Sequence, residues 1–267
     1  MSTNEVKWHT EAEFFDEQAR AAAMKLSPFD ARTRKRYQSL RSAFQPEFRF
    51  LVLGDLHGRR VLDVGCGEGP NSALLALLGA KVTGIDLSAG ALDVARARAS
   101  LEGVAKQCTF VCSPMETAPI ADGTCDVVYC DAILHHLLGD LDGAMRRLVR
   151  FLRPGGVFLC VEPVSLSPVL RRLRPLVPIR TAHTPDERPL DANDCAIIKR
   201  HVPDLKVKHF RCLGRLERVI LPGQNYECAG LGQRIALWTL AHVDELLLSL
   251  PPLRNLGSIA VMWGSAP

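Results

Sequence analysis

The chain has 267 residues, 47% of them hydrophobic and 23% charged, with a formal net charge of +4 at pH 7. That length suits one α/β domain with additions better than two full domains. The charge is too mild to imply a nucleic-acid partner by itself, and no such partner is expected. Nine cysteines lie scattered without a C-x-x-C pair. Free buried thiols in a reducing compartment explain them better than disulfides or zinc, and no metal site is expected. No apolar signal core opens the chain and no apolar run reaches the ~18 residues of a membrane span, so a cytoplasmic protein is expected.

From the N-terminus, Phe14, Phe15, Ala19, Ala22 and Ala23 mark one face of a helix, with Glu11, Glu13, Asp16 and Glu17 in its first turns. A second helix is expected over 31–44, basic through Arg32, Arg34, Lys35, Arg36 and Arg41, and ended by Pro46. Its plain reading is a solvated basic face with Tyr37 packed beneath. Then comes a buried strand, Val61, Leu62 and Val64, that runs into a turn with Gly65, Gly67 and Gly69. A helix over 71–78 follows, stopped by Gly79. The glycines are not spaced G-x-G-x-x-G, so this is not a dinucleotide fingerprint. An acid, Asp63, precedes the turn, where it would repel a pyrophosphate and attract a cation such as an ammonium or sulfonium group. A second acid, Asp86, ends the next strand, 81–85, where an acid commonly holds two ribose hydroxyls.

Strand and helix then alternate, which argues for a parallel sheet. The spacing predicts a helix over 89–100 capped by Ser88, a strand over 107–111, a strand over 127–130, an amphipathic helix over 142–152 and a strand over 157–161. In the amphipathic helix, Ala144, Met145, Leu148, Val149 and Leu152 form the apolar stripe and Arg146, Arg147 and Arg150 face out.

The segment from Asp63 to Gly69, with Gly84, Ile85, Asp86, Leu87 and Ser88, resembles the cofactor site of class I S-adenosylmethionine-dependent methyltransferases. The resemblance continues at Asp126–Tyr129, Leu134–Leu137 and Leu152–Gly156, and covers about residues 59 to 162. It implies a doubly wound, mainly parallel seven-stranded α/β sheet with N-terminal helices, and S-adenosyl-L-methionine as cofactor. It further implies cofactor contacts from Asp63, Gly65, Cys66, Gly67, Gly69, Asp86, Leu87 and Cys130. The family places an acid after the third strand to bind the adenine amine. Here Pro114 stands at that position and neither donates nor accepts through its ring, so adenine recognition is expected from Met115 and Glu116. Family N-terminal helices often lie over the cofactor, which makes Tyr37 and Arg41 candidates to reach the methionine carboxylate or the acceptor.

The fourth strand ends in Cys130, Asp131, then His135 and His136, at the sheet's carboxyl end where ligands of open α/β sheets bind. Histidine titrates near neutrality, so His135 or His136 can take a proton from an acceptor; a turn-capping or merely buried role is the alternative. Asp131 is the rival base. Glu162, at the end of the fifth strand, is placed to orient His135 or to bond backbone.

Residues 163–203 carry seven prolines, which disfavours long regular structure before Leu190. Eight arginines against one acid between Arg146 and Arg180 suggest a lid over an apolar or anionic acceptor, a peripheral membrane contact, or a loop that packs its leucines and solvates its arginines. A helix over 191–201, a strand over 205–210, a helix over 233–250 and a strand over 258–263 complete the pattern. The helix over 233–250 is read as buried through Leu240, Val243, Leu247 and Leu250 with Asp244 and Glu245 opposite, and it joins the 163–203 insertion as a cap. Gln224, Asn225, Tyr226 and His242 are polar groups that either reach an acceptor or are ordinary loop residues. The organisation expected is one domain: N-terminal helices over 1–50, a cofactor-binding core over 51–162, the insertion over 163–203, and edge strands with a helical insertion over 204–267. The expected activity is methyl transfer to a small natural-product or lipid-like molecule. Oxygen is the favoured acceptor, with carbon or nitrogen methylation, or a cyclisation without methyl transfer, as alternatives.

Overall fold

The computed structural model describes residues 3–167, 188–222 and 226–266. Its centre is a seven-stranded sheet in the order β3-β2-β1-β4-β5-β7-β6. The strands are β1 (Arg60–Val64), β2 (Lys81–Asp86), β3 (Cys108–Cys112), β4 (Cys125–Asp131), β5 (Leu152–Pro163), β6 (Lys206–Phe210) and β7 (Ile259–Ser265). β1 to β5 pair in parallel, and β7 runs antiparallel between β5 and β6. The sheet order reverses between β1 and β4, so a crevice opens at their carboxyl ends. Val61, Leu62 and Val64 are buried, as are Val127, Val128 and Tyr129, because helices cover both faces.

Helices α4 (Pro70–Leu77), α5 (Ala89–Leu101) and α6 (Leu141–Phe151) alternate with these strands. Ser88 caps α5 by accepting from Ala91 N at 2.9 Å. On α6 the buried positions are Leu141, Ala144, Met145, Leu148 and Phe151. Arg147 does not face out as its spacing suggested. It lies over the Phe151 ring at 4.3 Å and its Nη1 binds Asp122 at 2.8 Å, its long stem covering apolar surface. α7 (Ala192–His201) is capped by Asp191, with Asp194 completing a capping box.

The additions differ more from expectation. α1 spans Thr3–Ala23, so Glu11, Asp16 and Glu17 sit in mid-helix rather than in the first turns. α1 is fixed to the N-terminus of α5 by Asp16, which accepts from Ser88 Oγ at 2.5 Å and Gly90 N at 2.9 Å. The basic helix α2 is short, Ala31–Gln38, and a further helix, α3 (Gln45–Leu51), follows it. Pro46 stands in the first turn of α3, where its missing N–H costs nothing, so it opens a helix instead of ending one.

α8 (Arg215–Ile220) and α9 (Leu231–Ser249) form the C-terminal addition. α9 is rotated from its expected setting. Asp244 is buried, and Val243 and Leu250 are exposed. The cause is the turn after β6: Arg211 has φ +63, and the Asp244 carboxylate accepts from Arg211 N at 2.8 Å and Leu213 N at 2.7 Å. The loop's amides draw the acid inward and turn Trp238 and Leu246 out. Among the described residues no helix is long and apolar enough to cross a membrane. The arginine-rich part of the 163–203 insertion falls outside the described residues.

Asp244→Leu puts an apolar side chain of similar size in the buried place but strands two amides, each worth about 1–3 kcal/mol. Urea unfolding should show a loss of about 2–6 kcal/mol, whereas Val243→Ala, at an exposed site, should cost under about 0.5 kcal/mol.

Candidate functional site

A cavity of about 760 Å³ lies at the carboxyl ends of β1, β2 and β4, within the ~300–1,000 Å³ range of small-molecule sites. Its floor is the turn after β1. Gly65 N and Cys66 N donate to Ile85 O at 2.9 and 3.1 Å, and Gly67 N donates to Asp86 Oδ2 at 2.8 Å. Gly67 has φ +51 and nothing within 4 Å of where a Cβ would stand, so the backbone itself is bare to the cavity. Gly69, at φ +74, serves another purpose. A Cβ there would come within 2.7 Å of the Ala95 methyl, so this glycine lets α4 and α5 approach and does not line the cavity.

Asp86 lies at the cavity's edge with Leu87. Its Oδ1 accepts from Ser88 N at 2.9 Å. Burial pushes its pKa up, against the opposing amides of Ser88 and Gly67. Each oxygen holds one amide and keeps a further acceptor position, which is what a pair of vicinal hydroxyls requires. At the far wall, Ser113, Pro114, Met115 and Glu116 line the cavity together.

Asp63 is elsewhere. It is 1% exposed, does not line the cavity, and accepts from Ser72 Oγ at 2.5 Å. Burial raises its pKa to about 7, the Ser72 hydroxyl working against this. Its visible role is to tie β1 to α4. Cys130 likewise is fully buried in the core and outside the cavity lining, and burial pushes its thiol pKa well up.

The segment after β4 closes the third side. Asp131, Ala132, Ile133, His136 and Leu137 line the cavity. Glu162, fully buried, accepts from Ile133 N at 2.9 Å and Leu134 N at 2.7 Å through Oε1, and faces His135 Nδ1 at 2.8 Å through Oε2. Glu162 thus meets both the backbone amides and the His135 ring. His135 packs behind His136, ring centroids 4.4 Å apart, and His136 is the one that reaches the cavity. Asp131 is engaged by the Arg49 guanidinium and by Asn71 Nδ2 at 2.8 Å. Both donors meet its Oδ2, which fixes the carboxylate's position in the wall.

Tyr37 and Arg41 do not reach this cavity. Tyr37 is buried edge to face against Phe50, at 5.2 Å. Arg41 pairs with buried Glu47 and lies 3.8 Å over the Phe44 ring. The basic helix turns toward a second hollow of about 330 Å³, lined by Phe44, Glu47, Phe210, Tyr226 and Leu237 among others. His242 stacks on Trp238 at 3.9 Å and bonds its carbonyl oxygen at 2.8 Å. Gln224 and Asn225 lie outside the described residues.

Four wall residues come from α1 instead: Trp8, Glu11, Phe15 and Gln18. Their spacing of three, four and three was a readable helical face, masked by the alanine-rich face beside it. Arg49 and Asn71 gave no such signal, since nothing local in sequence ties either to Asp131.

Residues 62–160 match a family model described as "Methyltransferase domain". The ubiquinone biosynthesis O-methyltransferase of Bordetella avium (strain 197N) is 41% identical over 106 residues, 39% of this chain and 43% of that protein. Methyltransferase GfsG of Streptomyces halstedii is 40% identical over 100 residues, 37% of this chain and 36% of that protein. The chain thus matches less than half the length of these relatives. Among solved structures, that of the [4+2]-cyclase SpnF aligns with a TM-score of 0.60 at 18% identity, covering 96% of this chain and 95% of that one. At that identity the likeness speaks for the fold.

Because the folded pKa of Asp63 lies above its unfolded value near 3.8, the group favours folding at low pH. That contribution fades as pH rises from about 4 through 7. Asp63→Asn should abolish this slope, making the variant relatively more stable at pH 8 than at pH 5. Urea unfolding of both proteins at the two pH values, expected to diverge by roughly 1–4 kcal/mol, checks it.

Proposed function

We propose, from the class I S-adenosylmethionine-dependent methyltransferase domain to which residues 62–160 belong, that this protein methylates a small-molecule acceptor, with an oxygen as the favoured atom. The observation that carries the reading is that one cavity joins the bare Gly67 turn and Asp86 to His136.

The residues present fit S-adenosyl-L-methionine. Asp86 has acceptor positions for the ribose hydroxyls, Met115 and Glu116 stand at the adenine end, and the open face of Gly67 leaves room for close approach. When bound, the cofactor supplies an activated methyl group on a sulfonium. The protein's own part is alignment and proton removal. Trp8 and Phe15 wall the cavity from water, and a nucleophile held in line needs little further help. His136, at the cavity wall, accepts the proton of an acceptor hydroxyl, while Glu162 fixes His135 behind it. Asp131, held by Arg49, lends a fixed negative end to the same wall.

Natural-product or lipid-like acceptors suit a cavity roofed by Trp8, Phe15 and Leu137. A cytoplasmic setting suits nine free thiols. The second reading is cyclisation or rearrangement in the same cavity. A cyclase on this fold follows nearly the whole chain, so fold does not choose between the two.

Asp86→Ala should weaken S-adenosylhomocysteine binding at least tenfold, because charge-assisted hydrogen bonds contribute roughly 1.5–3 kcal/mol; unchanged affinity in calorimetric titration would remove the cofactor site from this cavity. With an acceptor in hand, His136→Gln should lower single-turnover methyl transfer by about 10²–10⁴ at unchanged cofactor affinity. Full activity would leave alignment alone as the source of rate.

A further inference from the structure

Helix α1 reaches the histidine end of the cavity with an acid of its own. Glu11, 9% exposed, places Oε1 3.8 Å from His136 Nδ1. One turn further on, Phe15 meets the same imidazole edge to face, centroids 5.9 Å apart. A row of four groups therefore runs outward from the sheet: Glu162, His135, His136, Glu11. The inner carboxylate is part of the core. The outer one arrives only when α1 lies in place, and α1 is held there by the Asp16 carboxylate on Ser88 and Gly90.

We propose that Glu11 is a positioning residue for His136, so that the base is complete only with α1 docked. The inference rests on His136 taking the acceptor's proton. At 3.8 Å the two groups are in ion-pair range and beyond a good hydrogen bond. The attraction is therefore weak while the ring is neutral and grows when it gains a proton. A carboxylate in that place favours the imidazolium, as the orienting acid does in acid–imidazole pairs elsewhere. Phe15 sets the ring's tilt from the same helix. Loss of α1 would thus remove a wall, the ring's support and its counter-charge together. Proton removal is thereby confined to the closed cavity, where water is shut out.

Among the described residues, three other charged or titratable groups near His136 hold partners of their own. Asp86 feels the imidazolium's charge across the cavity, and each of its oxygens holds an amide, of Gly67 or of Ser88. His135 has its Nδ1 committed to Glu162. Asp131 is paired with Arg49.

The test needs no acceptor. Ring resonances of His136 are followed by NMR from pH 5 to 9 in the wild type, Glu11→Gln, Glu11→Asp and Asp16→Ala, with core methyl shifts as the check on folding. Glu11→Gln should lower the His136 midpoint by about one pH unit, and Glu11→Asp should recover part of it. Asp16→Ala, which frees α1 but keeps Glu11, should move the midpoint the same way as Glu11→Gln. A His136 titration that superimposes on the wild type in folded Glu11→Gln overturns the inference, as does one in folded Asp16→Ala. Either failure leaves the turnover test on His136→Gln standing. Full turnover in that variant would instead remove the base while the measured coupling to Glu11 survived.

Discussion

Glu162 accepts three hydrogen bonds in a fully buried place, and the site's geometry hangs on them. An isolated carboxylate at that depth is costly, and it is tolerated because two amides and an imidazole meet it. Those donors all belong to the segment after β4, where Ala132 is held at φ +59 with its N–H on Val161 O at 2.8 Å. The strained turn is thus pinned from both sides by the end of β5. Its consequence reaches across the cavity. Ile133 is set so close to Gly65 that a Cβ there would stand 2.7 Å from its Cδ1. The same carboxylate that aims His135 therefore also seats the segment against the turn that forms the cavity floor.

The additions to the sheet act by supplying single charges to this frame. Asp16 anchors α1 on the start of α5, and Ser88 serves at once as helix cap and as donor to Asp16. Arg49 on α3 crosses to Asp131, with its Nε on Pro46 O at 3.2 Å. Each contact joins residues far apart in the chain, so each also fixes how a helix lies over the sheet. Charges fixed at a cavity wall act more strongly on one another than they would in bulk water. Asp131, held at Oδ2 by Arg49 and Asn71, and His136 both line the cavity.

The sheet was legible because its strands are short apolar runs bounded by glycine turns and acids, and local pattern suffices for that. Asp86, the glycine floor, His136 and the Glu162–His135 pair were legible for the same reason, since each sits at a strand end whose position the pattern sets. Position along the chain could not show depth. Asp63 and Cys130 belong to the same motifs, yet both are buried outside the cavity lining, on opposite faces of the sheet. Tyr37 and Arg41 were misplaced because Pro46 starts α3 and sends the basic helix toward the second hollow. On α9 the acid Asp244 was assigned to solvent by its type, but the amides of a positive-φ turn claimed it. Arg49, Asn71 and Glu11 act only through tertiary contacts, and no local spacing announces such pairs.

That one cavity binds the methyl donor and methylates a small molecule is tested most directly by incubating the protein with methyl-labelled S-adenosylmethionine and an extract of its source cells, with Asp86→Ala as control. Label should appear in a low-mass product with the wild type and not with the variant. Label confined to protein or nucleic acid, or equal label with both proteins, would contradict it.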